Sequence, residues 1–303
     1  MAVLSVDIGG THIRTATFEA PDRLLSRAQV KCSEMGIPLP VPTLVNYLKD
    51  QLEQAARDDE VKAIGISIAA VVDHSTGAVK VSENLGWKNV PLKEILEKEI
   101  DLPVAVDTDA FCGAEAEVRL GSARDRNHAL YVTVGTGIGH ALVINRQVWR
   151  GEHAAANVFG HIKALPDGEP CYCGGRGCVC QYAAGRGIAR LGQIALSGGS
   201  PALHAEDVIA AHQRSESWAT RAITEAHERL AFALSAFYNL LDVECVILAG
   251  GITVANYPNL ELLHRLIEPL VYPQIRPIVL RYATYRQDAA LLGAALLAME
   301  EIR

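Results

Sequence analysis

The chain has 303 residues, half of them hydrophobic, which is enough for two domains of ordinary size, each with its own core. Its formal net charge of −7 offers no general attraction to a phosphate backbone or an anionic bilayer, so neither nucleic acid nor membrane is expected as a partner. The opening MAVLSVDIGG has no basic stretch ahead of an apolar run, no segment reaches about eighteen uninterrupted apolar residues, and the seven cysteines have metal-like spacing, so a cytoplasmic protein is expected.

Ala2 to Val6 is an apolar run that ends in Asp7-Ile8-Gly9-Gly10-Thr11, after which Ile13, Thr15 and Thr17 alternate as in a second strand. The pattern predicts a β-hairpin with a glycine turn. Such a turn lets the backbone approach a ligand and aims N–H groups at phosphate oxygens, with Asp7 placed to hold a Mg²⁺-bound water. An ordinary Gly-Gly hairpin with Asp7 satisfying the turn backbone explains the same residues. Leu24 to Val30 reads as a third strand. Thr43 to Arg57 reads as an amphipathic helix, with Thr43 as its N-cap and Leu44, Leu48 and Leu52 on one face. Val61 to Ala70 is a buried strand followed by a turn at Asp73 to Gly77. Asn84-Leu85-Gly86-Trp87 is a polar loop ahead of a helix from Leu92 to Glu99. Val104 to Val106 then delivers Thr108 and Asp109 to a helix that runs from Ala110 to about Leu120. Thr108 or Asp109 can serve as its N-cap, worth about 1 kcal/mol. Asp109 is also a carboxylate at the carboxyl end of a strand, where α/β folds place their ligands, and the two roles are compatible.

Ala129 to Val134, the turn Gly135-Thr136-Gly137-Ile138-Gly139 and Ala141 to Ile144 repeat the opening pattern about 125 residues later. Two related α/β domains facing a cleft are therefore expected, over 1–121 and 122–303, with the last helix a candidate to pack back on the first. Within Asn157 to Gln181, His161, Cys171, Cys173 and Cys178 are spaced His-x9-Cys-x-Cys-x4-Cys, with Gly174, Gly175 and Gly177 supplying tight turns. This loop, 161–178, reads as a structural Zn²⁺ site with four thiolate or imidazole ligands, against the bland alternative of four unrelated residues. Helices follow at Tyr182 to Leu196, Ala205 to His212 and Ser217 to Leu241, the last burying Leu230, Leu234 and Phe237. A strand from Cys245 to Leu248 ends in Gly250-Gly251, a pair suited to nucleotide contact or simply to a turn. A strand at Ile278 to Tyr282 and a helix from Asp288 to Glu300 close the chain.

With the zinc loop, Asp7 to Thr11, Asp109, Gly135 to Gly139 and Gly250-Gly251 all present, the sequence resembles the ROK family of sugar kinases and repressors over essentially its whole length. The resemblance implies an actin-like, ribonuclease-H-like fold that binds ATP and phosphorylates a hydroxyl of a sugar or sugar-like polyol, as glucokinases and N-acetylmannosamine kinases do. It implies Asp109 as general base, Mg²⁺ near Asp7, and nucleotide contacts from Gly9, Gly10, Thr11, Gly135, Thr136, Gly137, Gly250 and Gly251. Asn84, Thr108, Asn157, His161 and Cys180 would face the acceptor, with His161 binding zinc through one nitrogen and a sugar hydroxyl through the other. A homodimer is also implied. Family repressors carry a helix-turn-helix before the first glycine turn, and here that turn begins at Asp7, so an enzyme is expected.

The chain departs from the family pattern at the acceptor positions. Val158 and Cys180 stand where the family has two sugar-binding glutamates, Thr108 where it has Asn, Ala69-Ala70 where it has Pro-Gly, and His140 where it has Gly. Each lost charge-assisted hydrogen bond is worth about 1.5–3 kcal/mol. Losing both should weaken an ordinary hexose by a factor of about 10² or more. The expected acceptor is a less hydroxylated or amino-substituted sugar, or a cyclitol. The alternative is a non-catalytic ROK-like protein that binds or senses a metabolite.

Overall fold

The computed structural model describes residues 2–36, 38–55, 60–196 and 202–302. Two apolar strand pairs, each closed by a glycine turn, seed two sheets of the same connectivity. The first is built from β1 (Ala2–Ile8), β2 (His12–Ala20) and β3 (Arg23–Lys31), followed after α1 (Cys32–Met35) and α2 (Val41–Ala55) by β4 (Val61–Ile68). Then come β5 (Val71–Asp73), β6 (Ala78–Ser82), β7 (Trp87–Val90), α3 (Leu92–Ile100), β8 (Val104–Thr108) and α4 (Asp109–Arg119). Strand order is β3-β2-β1-β4-β8, with β1 antiparallel to β2 and parallel to β4, and β4 parallel to β8. Both faces of β1 and β4 are covered, so their side chains read as near-continuous apolar runs; Leu4, Val6, Ile8, Ile64, Ile66 and Ile68 are buried with Leu44, Leu48, Leu92 and Leu96.

The second set is β9 (Ala129–Val134), β10 (Ile138–Ile144), β11 (Gln147–Trp149), α5 (Cys180–Ala183), α6 (Gly185–Ala195), α7 (Ala205–Gln213), α8 (Ser217–Leu241), β12 (Cys245–Ala249), α9 (Leu260–Ile267), β13 (Leu280–Tyr282) and α10 (Ala289–Glu301). Its order, β11-β10-β9-β12-β13, repeats the first sheet, again with an antiparallel hairpin flanked by parallel strands. Leu230, Leu234 and Tyr238 of α8 are buried against Val132, Val134, Val246 and Leu248, while Phe237 is half-buried at the edge of that core.

The chain divides into two compact units. One comprises the described residues of Met1–Leu120, Val148–Ala156 and Asp288–Arg303, the other Gly121–Gln147 and Asn157–Gln287. Segment 148–156 is thus grouped with the first unit, as is α10. That helix comes so close to β4 and α4 that a Cβ on Gly65 would overlap the Ala294 carbonyl, and one on Gly293 the Cys112 carbonyl. Overpacking of this kind has no cheap relief, which is why glycine stands at both contacts.

Several local expectations are corrected. The helix expected from Thr43 starts at Val41, because Pro42 is tolerated in a first turn and the Pro40 carbonyl accepts from Thr43 N and Leu44 N at 3.0 and 3.2 Å. Thr43 is therefore inside the helix and not its cap; the expected end at Arg57 lies outside the described residues. The stretch read as turn and polar loop contains an additional antiparallel sheet, β5-β6-β7. The helix expected over Tyr182 to Leu196 breaks at Ala184, whose extended backbone separates α5 from α6.

Candidate functional site

Strand register places Arg14, Asp7, Ser67 and Asp107 in one row across β2, β1, β4 and β8. Asp7 is buried and accepts from Arg14 Nε at 3.1 Å and from Ser67 Oγ at 2.8 Å. Asp107, fully buried, accepts from Arg150 Nε at 3.0 Å and Nη2 at 2.7 Å, and from the Thr108 N–H at 2.8 Å. Burial alone would raise its carboxyl, but His74 and the Arg150 guanidinium hold it below the usual range. Each of these two carboxylates has an arginine.

Asp109, where β8 passes into α4, is half-buried and has no ion-pair partner among the described residues; its Oδ1 accepts the Ala110 N–H at 2.8 Å. Burial pushes its carboxyl up to about 7, and the charge of Asp7 adds to the push. Three acidic groups on one sheet edge thus differ in environment, and the unpaired one is poised to exchange a proton near neutrality. Thr108 occupies the N-cap position but does not cap: its Oγ1 donates to the Ala70 carbonyl at 3.0 Å. Nor does Asp109 reach beyond the next residue, so the expected side-chain cap is absent and the carboxylate is free for chemistry.

In the first glycine turn, Gly9 N donates to His12 O at 3.0 Å, and Gly10 and Thr11 are exposed. Asn84 lies against this turn, its Cγ 3.1 Å from where a Gly10 Cβ would be. In the second unit, Gly135 N donates to Gly137 O at 2.9 Å, Thr136 is exposed, and a Cβ added at Gly135, Gly137 or Gly251 would meet nothing within 4 Å. Packing does not demand glycine at these three places. Open backbone of this sort suits close approach of a phosphate chain, so the residues present fit a nucleotide. Gly250 differs: its φ is +98° and a Cβ would overlap Val134, so the fold itself requires it.

The ligand atoms of His161, Cys171, Cys173 and Cys178 all lie within 4.8 Å of one another. Cys173 Sγ and Cys178 Sγ are 3.6 Å apart, and His161 Nδ1 is 3.6 Å from Cys171 Sγ. Ligands about 2.0–2.3 Å from a tetrahedral zinc are separated by about 3.5–3.8 Å, so the donor set fits Zn²⁺. The loop reaches this shape through Gly174 and Gly177, at φ +83° and +67°. Ala164 N and Leu165 N donate to Gly177 O, and Cys171 N to Gly175 O, so the backbone holds the ligands from behind. Nδ1 is the nitrogen turned to the sulfurs, leaving Nε2 for another partner.

The other acceptor residues expected from the sequence are not alike. Val158 is half exposed, and its carbonyl receives the His161 N–H at 2.9 Å. Cys180 is buried with its Sγ 3.8 Å from Cys171 Sγ, next to the candidate ligand set. Asn157 gives its carbonyl to the His140 N–H at 3.3 Å, and its own Oδ1 is buried without a hydrogen bond. His140 packs on Phe159 and Phe237, accepts the Phe159 N–H at its Nδ1, and is pushed down to about 4 by burial, so it is a neutral core imidazole. Sequence reading passed over Arg14, Ser67, Asp107 and Arg150. A charged residue in the otherwise apolar VAVDT strand was the available signal for Asp107; Arg150 had none, because its partner is 43 positions away.

The chain matches the profile described as the ROK family over residues 3–301. It is 30% identical to N-acetylmannosamine kinase of Citrobacter koseri, over 98% of this chain and 99% of that protein. It is 28% identical to glucokinase of Halalkalibacterium halodurans, over 98% and 95%. The crystal structure of a ROK family glucokinase from Streptomyces griseus in complex with glucose and AMPPNP superposes with a TM-score of 0.84 at 28% identity, covering 99% of this chain and 100% of that one.

Proposed function

The chain belongs to the ROK family and is an ATP-dependent sugar kinase with the actin-like fold, and on that premise we propose that Asp109 is the general base that takes the proton from the acceptor hydroxyl. The observation that carries this reading is the contrast among Asp7, Asp107 and Asp109, of which Asp109 alone lacks an arginine and is pushed up to about 7. A base with that proton affinity accepts a hydroxyl proton as the oxygen attacks and contributes about 10²–10⁴-fold. The amides of Gly10 and Gly137 serve the phosphates, while Gly9 and Gly135, whose N–H groups donate to His12 O and Gly137 O, hold the two turns in shape, with Thr11, Thr136, Gly250 and Gly251 beside them. The AMPPNP and glucose held by the Streptomyces griseus enzyme support this assignment.

Mg²⁺, when bound, would neutralise phosphate charge. Asp7 already takes Arg14 and Ser67, so it would hold that ion through water. His161, whose Nδ1 would hold Zn²⁺ when it is bound, would offer Nε2 to an acceptor hydroxyl, with Asn84, Thr108 and Asn157 as further acceptor residues. Cys180 is the exception to the expected set, since its buried thiol supports the zinc loop more directly than the acceptor. We read the protein as a cytoplasmic homodimer acting on a small sugar or polyol; no helix among the described residues is long and apolar enough to cross a membrane.

The acceptor we infer presents fewer hydroxyls to the His161 region than glucose does, because Val158 offers a half-exposed apolar surface in place of a carboxylate. An ADP-release screen across hexoses, N-acylhexosamines, amino sugars and cyclitols tests both levels of the reading. Turnover with none of them sinks the kinase assignment, and glucose as the best substrate sinks the acceptor inference. Val158→Glu should raise kcat/KM for glucose by about tenfold or more, the worth of one charge-assisted hydrogen bond. Its side chain is exposed enough to take the charge without burying it, so the variant should fold.

A further inference from the structure

We propose that the ion pair between Asp107 and Arg150 is a positioning device for phosphoryl transfer, holding the strand-to-helix corner that aims Asp109. This rests on the reading of Asp109 as the base. Asp107 lies two residues before it on β8, and its two oxygens are divided between two tasks. Oδ1 accepts the Thr108 N–H at 2.8 Å, pinning the peptide at the corner, while Oδ2 takes both the Nε and Nη2 of Arg150 at 3.0 and 2.7 Å. The guanidinium is held in turn by the Val148 carbonyl at 3.2 Å and lies over the Phe111 ring, 5.7 Å from its centroid. Phe111 belongs to the first turn of α4, so Arg150 touches the corner from both sides, at Asp107 before Asp109 and at Phe111 after it.

Segment 148–156, which carries Arg150, is itself closed: Ala156 N donates to Arg150 O at 3.2 Å, and Gly151 and Ala154 adopt φ of +73° and +56°. The segment clusters with the unit that carries Asp109, although the strand it leaves belongs to the second sheet. An ion pair whose carboxylate is fully buried and whose guanidinium is mostly buried is a poor device for stability alone, because apolar residues of similar volume serve as well or better. What the forked pair supplies and an apolar contact does not is direction, through hydrogen bonds of fixed geometry. An error of about 1 Å in the placement of a reacting group can cost about 10²-fold in rate.

The test separates geometry from stability. Removing Arg150 alone strands the fully buried Asp107 charge and endangers folding, so the informative variant is the apolar double replacement Asp107→Leu with Arg150→Met. It should stay folded, because the gain from removing the ion pair offsets the loss of the acceptor for the Thr108 N–H, yet turn over about 10²-fold more slowly, with the KM for ATP within about twofold of wild type. Hydrogen exchange at the amides of residues 108–110 should be faster than in the wild type. A double variant that is stable and has wild-type kcat overturns the proposal, as does unchanged exchange at that corner. The exchange measurement needs no acceptor: if the wild type itself phosphorylates nothing, the kinase reading fails, and exchange at 108–110 still decides whether the pair holds the corner.

Discussion

Asp109→Asn should abolish turnover and make the protein more stable. Removing the base lowers kcat by about 10²–10⁴-fold or more, while the isosteric amide leaves the Ala110 N–H bond in place. The stability gain follows from linkage. The carboxyl has a pKa of about 7 in the folded chain against 3.8 as a free side chain. Between those values the native state binds more protons than the unfolded state, so wild-type stability falls as pH rises through this window and levels off above it. At about pH 8 the ionised group costs the fold at most about 4 kcal/mol, and the Asn variant is spared that cost. Urea unfolding should therefore show the variant's advantage widening by about 2–3 kcal/mol between about pH 5 and about pH 8. The wild-type kcat/KM should show an acid limb near pH 7. Retained turnover in the variant, or a stability gap that does not change with pH, would refute the assignment of Asp109 as an unpaired, proton-exchanging carboxylate.

Removing the zinc proposed for His161, Cys171, Cys173 and Cys178 should be nearly as damaging, by another route. Cys178 is fully buried, and with Cys171, Cys180, Phe159 and Tyr182 it belongs to the core of the second unit. Without an ion, three thiols and an imidazole would be left facing one another, with the Lys163 ammonium at 2.9 Å from Cys178 Sγ and the Gln181 amide at 3.4 Å from Cys171 Sγ as their remaining polar partners nearby. Metal analysis should find about one zinc per chain. Chelation, or Cys178→Ser, should lower the melting temperature by about 10 °C, corresponding to a few kcal/mol in a protein of this size. It should also reduce kcat/KM by about 10²-fold, because on this proposal a metal bond at Nδ1 orients the His161 ring and would be lost. Iron in the site, or a chelated protein that keeps both its melting temperature and its activity, would count against zinc as the structural ion.

The parts of the fold legible in the sequence were those whose code is local. The glycine hairpins at Asp7 to Thr11 and Gly135 to Gly139, the zinc loop spacing and the helix from Ser217 to Leu241 each declare themselves within a few dozen residues. Elements without strong local marks were lost: β5, β6 and β7 are strands of 3, 5 and 4 residues, and α9 is a helix of only 8 residues. The cap assigned to Thr43 failed because a proline-tolerant first turn began earlier, and the cap at Thr108 failed because its hydroxyl found the Ala70 carbonyl instead.

By itself the sequence determined that the chain repeats a strand–turn–strand unit, that His161, Cys171, Cys173 and Cys178 can meet at a metal, and that the two expected acceptor glutamates are Val158 and Cys180. Only the tertiary structure decided that Asp7 and Asp107 each have an arginine while Asp109 has none, and that the Cys180 sulfur is buried 3.8 Å from that of Cys171. The physical reason is that turns and ligand spacings are set by covalent neighbours. The charge of a carboxylate depends on burial and on groups a few ångströms away through space, and those groups come from β2 and from segment 148–156, which no local pattern connects to the strand that carries the base.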